Sequence, residues 1–342
     1  MAGYSSNNWQ QGGEHEQQSR SLRHDSNFVG FITLSQTILL QVIFIILVYV
    51  LKLIGMIESV NQNYYGLGNT GFLILYGVAY TIGMGLPAPI VALIAGRRIN
   101  PFSRIKIREQ RKLGFHFVIL ALLAGLSICI LANFAASYIL YFLENIGLKR
   151  PAMPDYMEKN YVSLIINIVV FALLPAIFEE MVYRGYILRT LRPYGDFFAV
   201  LVSSILFALM HGNILQIPFA FLVGLACGYL AVKTGHIWIA VILHFLNNFM
   251  STLLSYAGLY LTTEQNQKMI LIVFSLIGMI GLVAIVILYA MGDPIIRRQQ
   301  SHPQQMASSR LAGSLLLAPA MIASLVIFLL LTVVNTLFGG TA

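Results

Sequence analysis

Two adjacent glutamates and an arginine interrupt an otherwise apolar run, "FALLPAIFEEMVYRGYILRTLRP", residues 171–193. Of the 13 acidic residues in the chain, only Glu179 and Glu180 lie well inside such a run. A charge at the centre of a membrane helix costs about 2.5–3.5 kcal/mol on insertion scales, so its retention points to function. Helical spacing separates the roles. Glu180 and Arg184 are four residues apart on one face, with the acid on the N-terminal side, the favourable order for an ion pair. Glu179 lies about 100° around the helix and lacks that partner. It is left with a desolvated carboxylate suited to general-base work.

Two further apolar runs carry matching groups. "FALMHGN" places Phe207 and His211 four residues apart, and "HFLNNF" does the same for His244 and Asn248. Counted from the nearest basic markers, Glu179 lies roughly 15–20 Å deep, and the histidines and Asn248 fall in the same layer. A buried histidine standing alone commonly just bonds a carbonyl. Three polar helix faces at one depth argue instead for a single wet cavity, lined by a glutamate, two histidines and an amide. A glutamate and two histidines also form a legitimate zinc set. However, HExxH is absent and the histidines stand on different helices, so no metal or other cofactor is expected. Cys129 and Cys227 fall within apolar spans, which argues against a disulfide or a thiolate metal site. His15, His24, His116, His236 and His302 read as solvated or interfacial.

The elements that must hold these groups are membrane helices. The 342 residues are 58% hydrophobic and 10% charged, with a mean hydropathy of +0.79. A soluble domain carries about a quarter charged residues. The apolar runs are long enough for helical spans and lack the alternation of barrel strands. The expected fold is an all-α polytopic bundle of about nine helices, at 28–54, 71–96, 115–143, 161–191, 196–211, 214–232, 236–258, 268–291 and 312–338. The net charge of +8 comes with no nucleic-acid motif, so nucleic acid is not an expected partner. The basic residues sit in short loops, where they set topology and meet anionic lipid headgroups. All 21 basic residues except Lys52, Lys149, Arg150, Lys159 and Lys268 fall on one side, which places the N-terminus inside and, with nine spans, the C-terminus outside. Residues 1–27 are polar, carry no signal-peptide core and read as a disordered tail. Residues 28–150 read as N-terminal helices, 151–260 as the polar-bearing core and 261–342 as C-terminal packing helices. Pro175, one turn before Glu179, removes a backbone hydrogen bond and opens the helix there. The glycines near 224–228 and 278–281 are expected to permit close helix packing.

In order, "EEMVYR", "FALMH" and "HFLNN" resemble the EExxxR, FxxxH and HxxxN/D motifs of the CAAX protease and bacteriocin-processing family, over roughly residues 160–255. The resemblance implies a metal-independent intramembrane glutamate protease that cleaves membrane-associated peptides or protein tails. It implies that Glu179 activates water with help from His211, that His244 and Asn248 form an oxyanion hole, and that Glu180, Arg184 and Phe207 hold the motif in place. The expected partners are membrane lipids and a membrane-associated peptide or protein substrate. The expected location is a bacterial plasma membrane, crossed many times. The same family also implies a second possibility, a scaffold, immunity or regulatory protein that does not cleave. A transporter is disfavoured because no internal repeat is visible.

Overall fold

The computed structural model describes residues 6–57, 63–106, 114–145, 147, 156–292 and 307–338. The rest of the basic loop from 107, Lys149, Arg150, Arg297, Arg298 and His302 lie outside the described residues. Among those described, every regular element is helical: α1 Ser6–Leu53, α2 Gly68–Gly85, α3 Pro87–Ile94, α4 Phe115–Asn145, α5 Tyr161–Tyr194, α6 Asp196–Leu209, α7 Ile217–Thr234, α8 Ile237–Gly258, α9 Thr263–Ala290, α10 Ser308–Leu316 and α11 Pro319–Phe338. The chain is an all-α polytopic membrane bundle.

Eight stretches among the described residues are long and apolar enough to cross a membrane, with α2 and α3 together forming one of them. The difference from nine is α6. Its 14 residues reach about 21 Å, short of a hydrocarbon core of about 30 Å. Because α7 returns the chain toward the end at which α6 began, the shortfall alters the count but not the sidedness of later helices. A second difference lies at the N-terminus. The polar stretch expected as a disordered tail is helical from Ser6 and continuous with the first span. Tertiary contacts hold its later part: Leu22 is fully buried, Ser21 bonds the Tyr194 hydroxyl at 2.9 Å, and Arg97 pairs with Asp25 at 2.5 Å.

Those contacts bring together groups that the charge bias had assigned to one side. Arg189 donates to Ser103 Oγ at 3.0 Å, Arg192 donates to the Lys106 carbonyl, and the Ile105 N–H bonds the Gly235 carbonyl at 2.8 Å. Residues 21–25, 97–106, 189–196 and 233–236 thus form one basic end of the bundle. At this end His24 and His116 are exposed and His236 is half-buried.

Most glycine contacts follow the packing expectation. A Cβ on Gly228 would meet Val200 at 3.1 Å, and one on Gly281 would collide with Ser127 and the Leu123 carbonyl. Helix α9 therefore lies directly on α4. Gly278 differs, with open space where its Cβ would be. Its carbonyl instead accepts from Ser127 Oγ at 3.2 Å. Helix α9 otherwise turns large apolar side chains outward, among them Val283 and Val286, as a lipid-facing helix should.

Candidate active site

Helix α5 carries both glutamates and is not uniform. Two π-helical segments, Ile168–Leu173 and Met181–Leu188, bracket the α-helical stretch Leu174–Glu180. Such wide turns concentrate at functional sites. Proline at 175 has no N–H to offer the Phe171 carbonyl four residues back. That carbonyl accepts instead from Asn248 Nδ2 on α8, at 3.1 Å. The opening expected at Pro175 thus becomes a docking point for a site residue.

Glu180 and Arg184 are both fully buried and pair at 2.9 Å, as their spacing predicts. The guanidinium also donates to the Gly224 carbonyl at 2.7 Å and lies 4.7 Å over the Phe207 ring. Glycine at 224 allows this approach, since a Cβ there would stand 3.2 Å from Phe207 Cδ1. Phe207 in turn meets the rings of Tyr183, His211 and His244 edge-on, with centroids 5.4, 5.2 and 5.8 Å away. The pair has a third member, because His244 Nδ1 donates to Glu180 Oε1 at 2.9 Å. Spacing alone did not reveal this link between α5 and α8.

Glu179 is buried beside this network. Its Oε1 accepts from the Tyr80 hydroxyl at 2.5 Å. Its Oε2 stands 3.8 Å from His244 Nε2. Glu179, His211, His244 and Asn248 all line one cavity of about 500 Å³, together with Phe207 and Tyr80. His211 Nδ1 lies 2.9 Å from the Phe207 carbonyl. A carbonyl can only accept, so Nδ1 carries the proton and Nε2 is left for a water or substrate. Asn247 donates to Asn248 Oδ1 at 3.0 Å, which fixes the amide so that Nδ2 is its donor end.

Two contributors escaped the sequence reading. Tyr80 sits on α2, in the region assigned to N-terminal packing, and Asn247 was passed over for its neighbour. The available signal was "YGVAY", which puts Tyr76 and Tyr80 on one face of an apolar helix. Both line the cavity, as do Leu40 and Met84, so the site extends beyond residues 151–260. Among the described residues, no three of His, Cys, Asp and Glu gather as a metal-holding group. The arrangement places a carboxylate, a free imidazole nitrogen and amide donors around one cavity.

Residues 161–250 match the family described as "Type II CAAX prenyl endopeptidase Rce1-like". The chain is 23% identical over 191 residues to the "Putative membrane peptidase YdiL" of Bacillus subtilis (strain 168), covering 54% of this chain and 76% of that protein. It is 28% identical over 120 residues to an "Uncharacterized 24.3 kDa protein" of Escherichia coli, covering 32% of this chain and 55% of that protein. No solved structure matches.

Proposed function

For a multi-pass membrane protein whose residues 161–250 match the Rce1-like CAAX endopeptidase family, we propose the activity of an intramembrane endopeptidase acting through glutamate-activated water, without a metal. The observation that carries this reading is the buried Glu179 carboxylate, held by Tyr80 at 2.5 Å and opening on the same cavity as His211, His244 and Asn248. In the mechanism, Glu179 and His211 Nε2 share a water. Glu179 takes its proton as the oxygen attacks the scissile carbonyl, and then returns the proton to the leaving amine. Asn248 has one Nδ2–H on the Phe171 carbonyl and a second for the developing oxyanion. His244 Nδ1–H is committed to Glu180, which leaves Nε2, 3.8 Å from Glu179 Oε2, as the ring nitrogen nearer the proposed base. The apolar and aromatic walls suit a membrane-associated peptide or protein tail. The bacterial relatives favour a bacterial plasma membrane, with the basic end facing the cytoplasm.

The test is cleavage of a library of membrane-associated peptides by purified protein in nanodiscs, with and without chelator. Loss of the base is expected to lower kcat about 10²–10⁴-fold in Glu179→Ala, with a comparable defect in His211→Ala and no effect of chelator on the wild type. Wild-type cleavage by Glu179→Ala would sink the mechanism. Cellular function that survives both substitutions would shift the reading to a non-catalytic scaffold, immunity or regulatory role.

A further inference from the structure

The basic end of the bundle contains a second cavity, of about 790 Å³, away from the glutamates. Arg97, Arg98, Arg104, Lys106, Arg189 and Arg192 line it, with Asp25 as the one carboxylate among its lining residues. That carboxylate is already bound, 2.5 Å from Arg97. The nearby Asp196 is bound by Arg192 Nε at 2.6 Å. The cavity is built rather than incidental. Arg189 and Arg192 reach across to Ser103 and Lys106. Phe102 stacks on Trp238 with centroids 4.9 Å apart. Gly185 lets Pro101 approach so closely that a Cβ would lie 2.5 Å from the proline ring.

Inside this frame several donors are unspent. Arg192 Nη2, Arg189 Nε and Thr190 Oγ1 are buried without a hydrogen-bond partner among the described residues. Arg192 is 6% and Thr190 7% exposed. Unpaired buried donors are costly, and these belong to residues that line the same cavity as four further cationic side chains. His236, outside the spans, registers the same field: its pKa is lowered by burial first and by the Arg104 charge second. The ligand that complements this excess of cationic lining is a multiply accepting anion, and a phosphate group suits several arginines at once. Its source is indicated by the surroundings. Leu93 and Ile94, at the end of α3 just before Arg97, are 80% and 81% exposed, and Phe197 on α6 is 73% exposed. These exposed apolar side chains lie within a few residues in sequence of the lining residues Arg97 and Arg192, which suits a ligand whose headgroup enters the pocket while its chains stay in lipid.

We propose that this pocket binds the phosphate of an anionic phospholipid headgroup. The site is separate from the proposed peptidase centre and is tested without an activity assay. Native mass spectrometry and thermal unfolding of the purified full chain would compare phosphatidylglycerol, phosphatidylcholine and inorganic phosphate. Phosphatidylglycerol is expected to remain bound and raise the Tm, while the neutral-headgroup lipid does not. Each cation near an anionic surface contributes about five-fold in affinity, so R98Q/R104Q should lose on the order of ten-fold or more. Lys268→Gln, at the opposite end, should bind as wild type. Arg192→Gln should show the largest loss. If that variant does not fold, because Arg192 also holds Asp196 and the Lys106 carbonyl, the exposed pair Arg98 and Arg104 decides. Equal binding of both lipids, or unchanged phosphatidylglycerol binding by R98Q/R104Q, would overturn the site. Stabilisation by inorganic phosphate equal to that by phosphatidylglycerol would overturn the lipid source and assign the pocket to soluble phosphate.

Discussion

Tyr80 is the residue on which the proposed chemistry leans most heavily outside the motifs. Its hydroxyl is 2.5 Å from Glu179 and orients the carboxylate that would meet water. Tyr80→Phe keeps the ring and removes only that donor. A hydrogen bond to a charged group is worth about 1.5–3 kcal/mol, so kcat should fall roughly ten- to a hundred-fold, with KM and the unfolding temperature little changed. A parallel fall in Tm would instead mark Tyr80 as a packing residue. The sequence exposes Glu179, Glu180, Arg184, His211, His244 and Asn248 because each stands at helical spacing within an apolar run. It hides Tyr80 because a tyrosine in a membrane helix is unremarkable until α2 is laid against α5. The bond between His244 and Glu180 is hidden for the same reason: spacing reports faces of one helix, not which face of another it meets.

At the scale of the element, α5 works because it is irregular. The π-helical segments bracket the glutamates, and Pro175 leaves the Phe171 carbonyl for Asn248. Pro175→Ala would supply an N–H that competes for that carbonyl. A neutral hydrogen bond contributes about 0.5–1.5 kcal/mol, so kcat is expected to drop roughly two- to ten-fold through looser positioning of Asn248, with KM retained. Unchanged kcat would show that Asn248 is positioned without Phe171. The proline is legible in the sequence as a break, but the π turns are not. A widened turn adds a residue to the repeat without changing the apolar character that betrays the helix. Helix α6 shows the converse. Its apolar run looks like a span until its length, 14 residues, is set against the bilayer.

For the whole molecule, charge forecasts the arrangement better than polarity does. The basic segments assigned to one side converge at one end through Asp25, Ser103, Lys106 and Gly235. The polar N-terminal stretch was unreadable as structure because its order comes from contacts such as Ser21 with Tyr194, which composition does not encode. On the proposed orientation, with the basic end inward, a membrane-impermeant maleimide applied to intact cells should label Glu264→Cys at the opposite end and leave Arg98→Cys unlabelled. Background is expected to be low, since both native cysteines are buried. The reverse labelling pattern would invert the assigned orientation.

The contact between Tyr80 and Glu179 spans 99 positions of chain, which matters for how the protein is made. A ribosome delivers Tyr80 to the bilayer long before the glutamate, and His244 and Asn248 arrive later still. A nascent or prematurely terminated chain therefore holds only part of the cavity lining that the full chain assembles. On the proposed mechanism, cleavage would require α8 to be in place, so a chain that ends before it would be inactive.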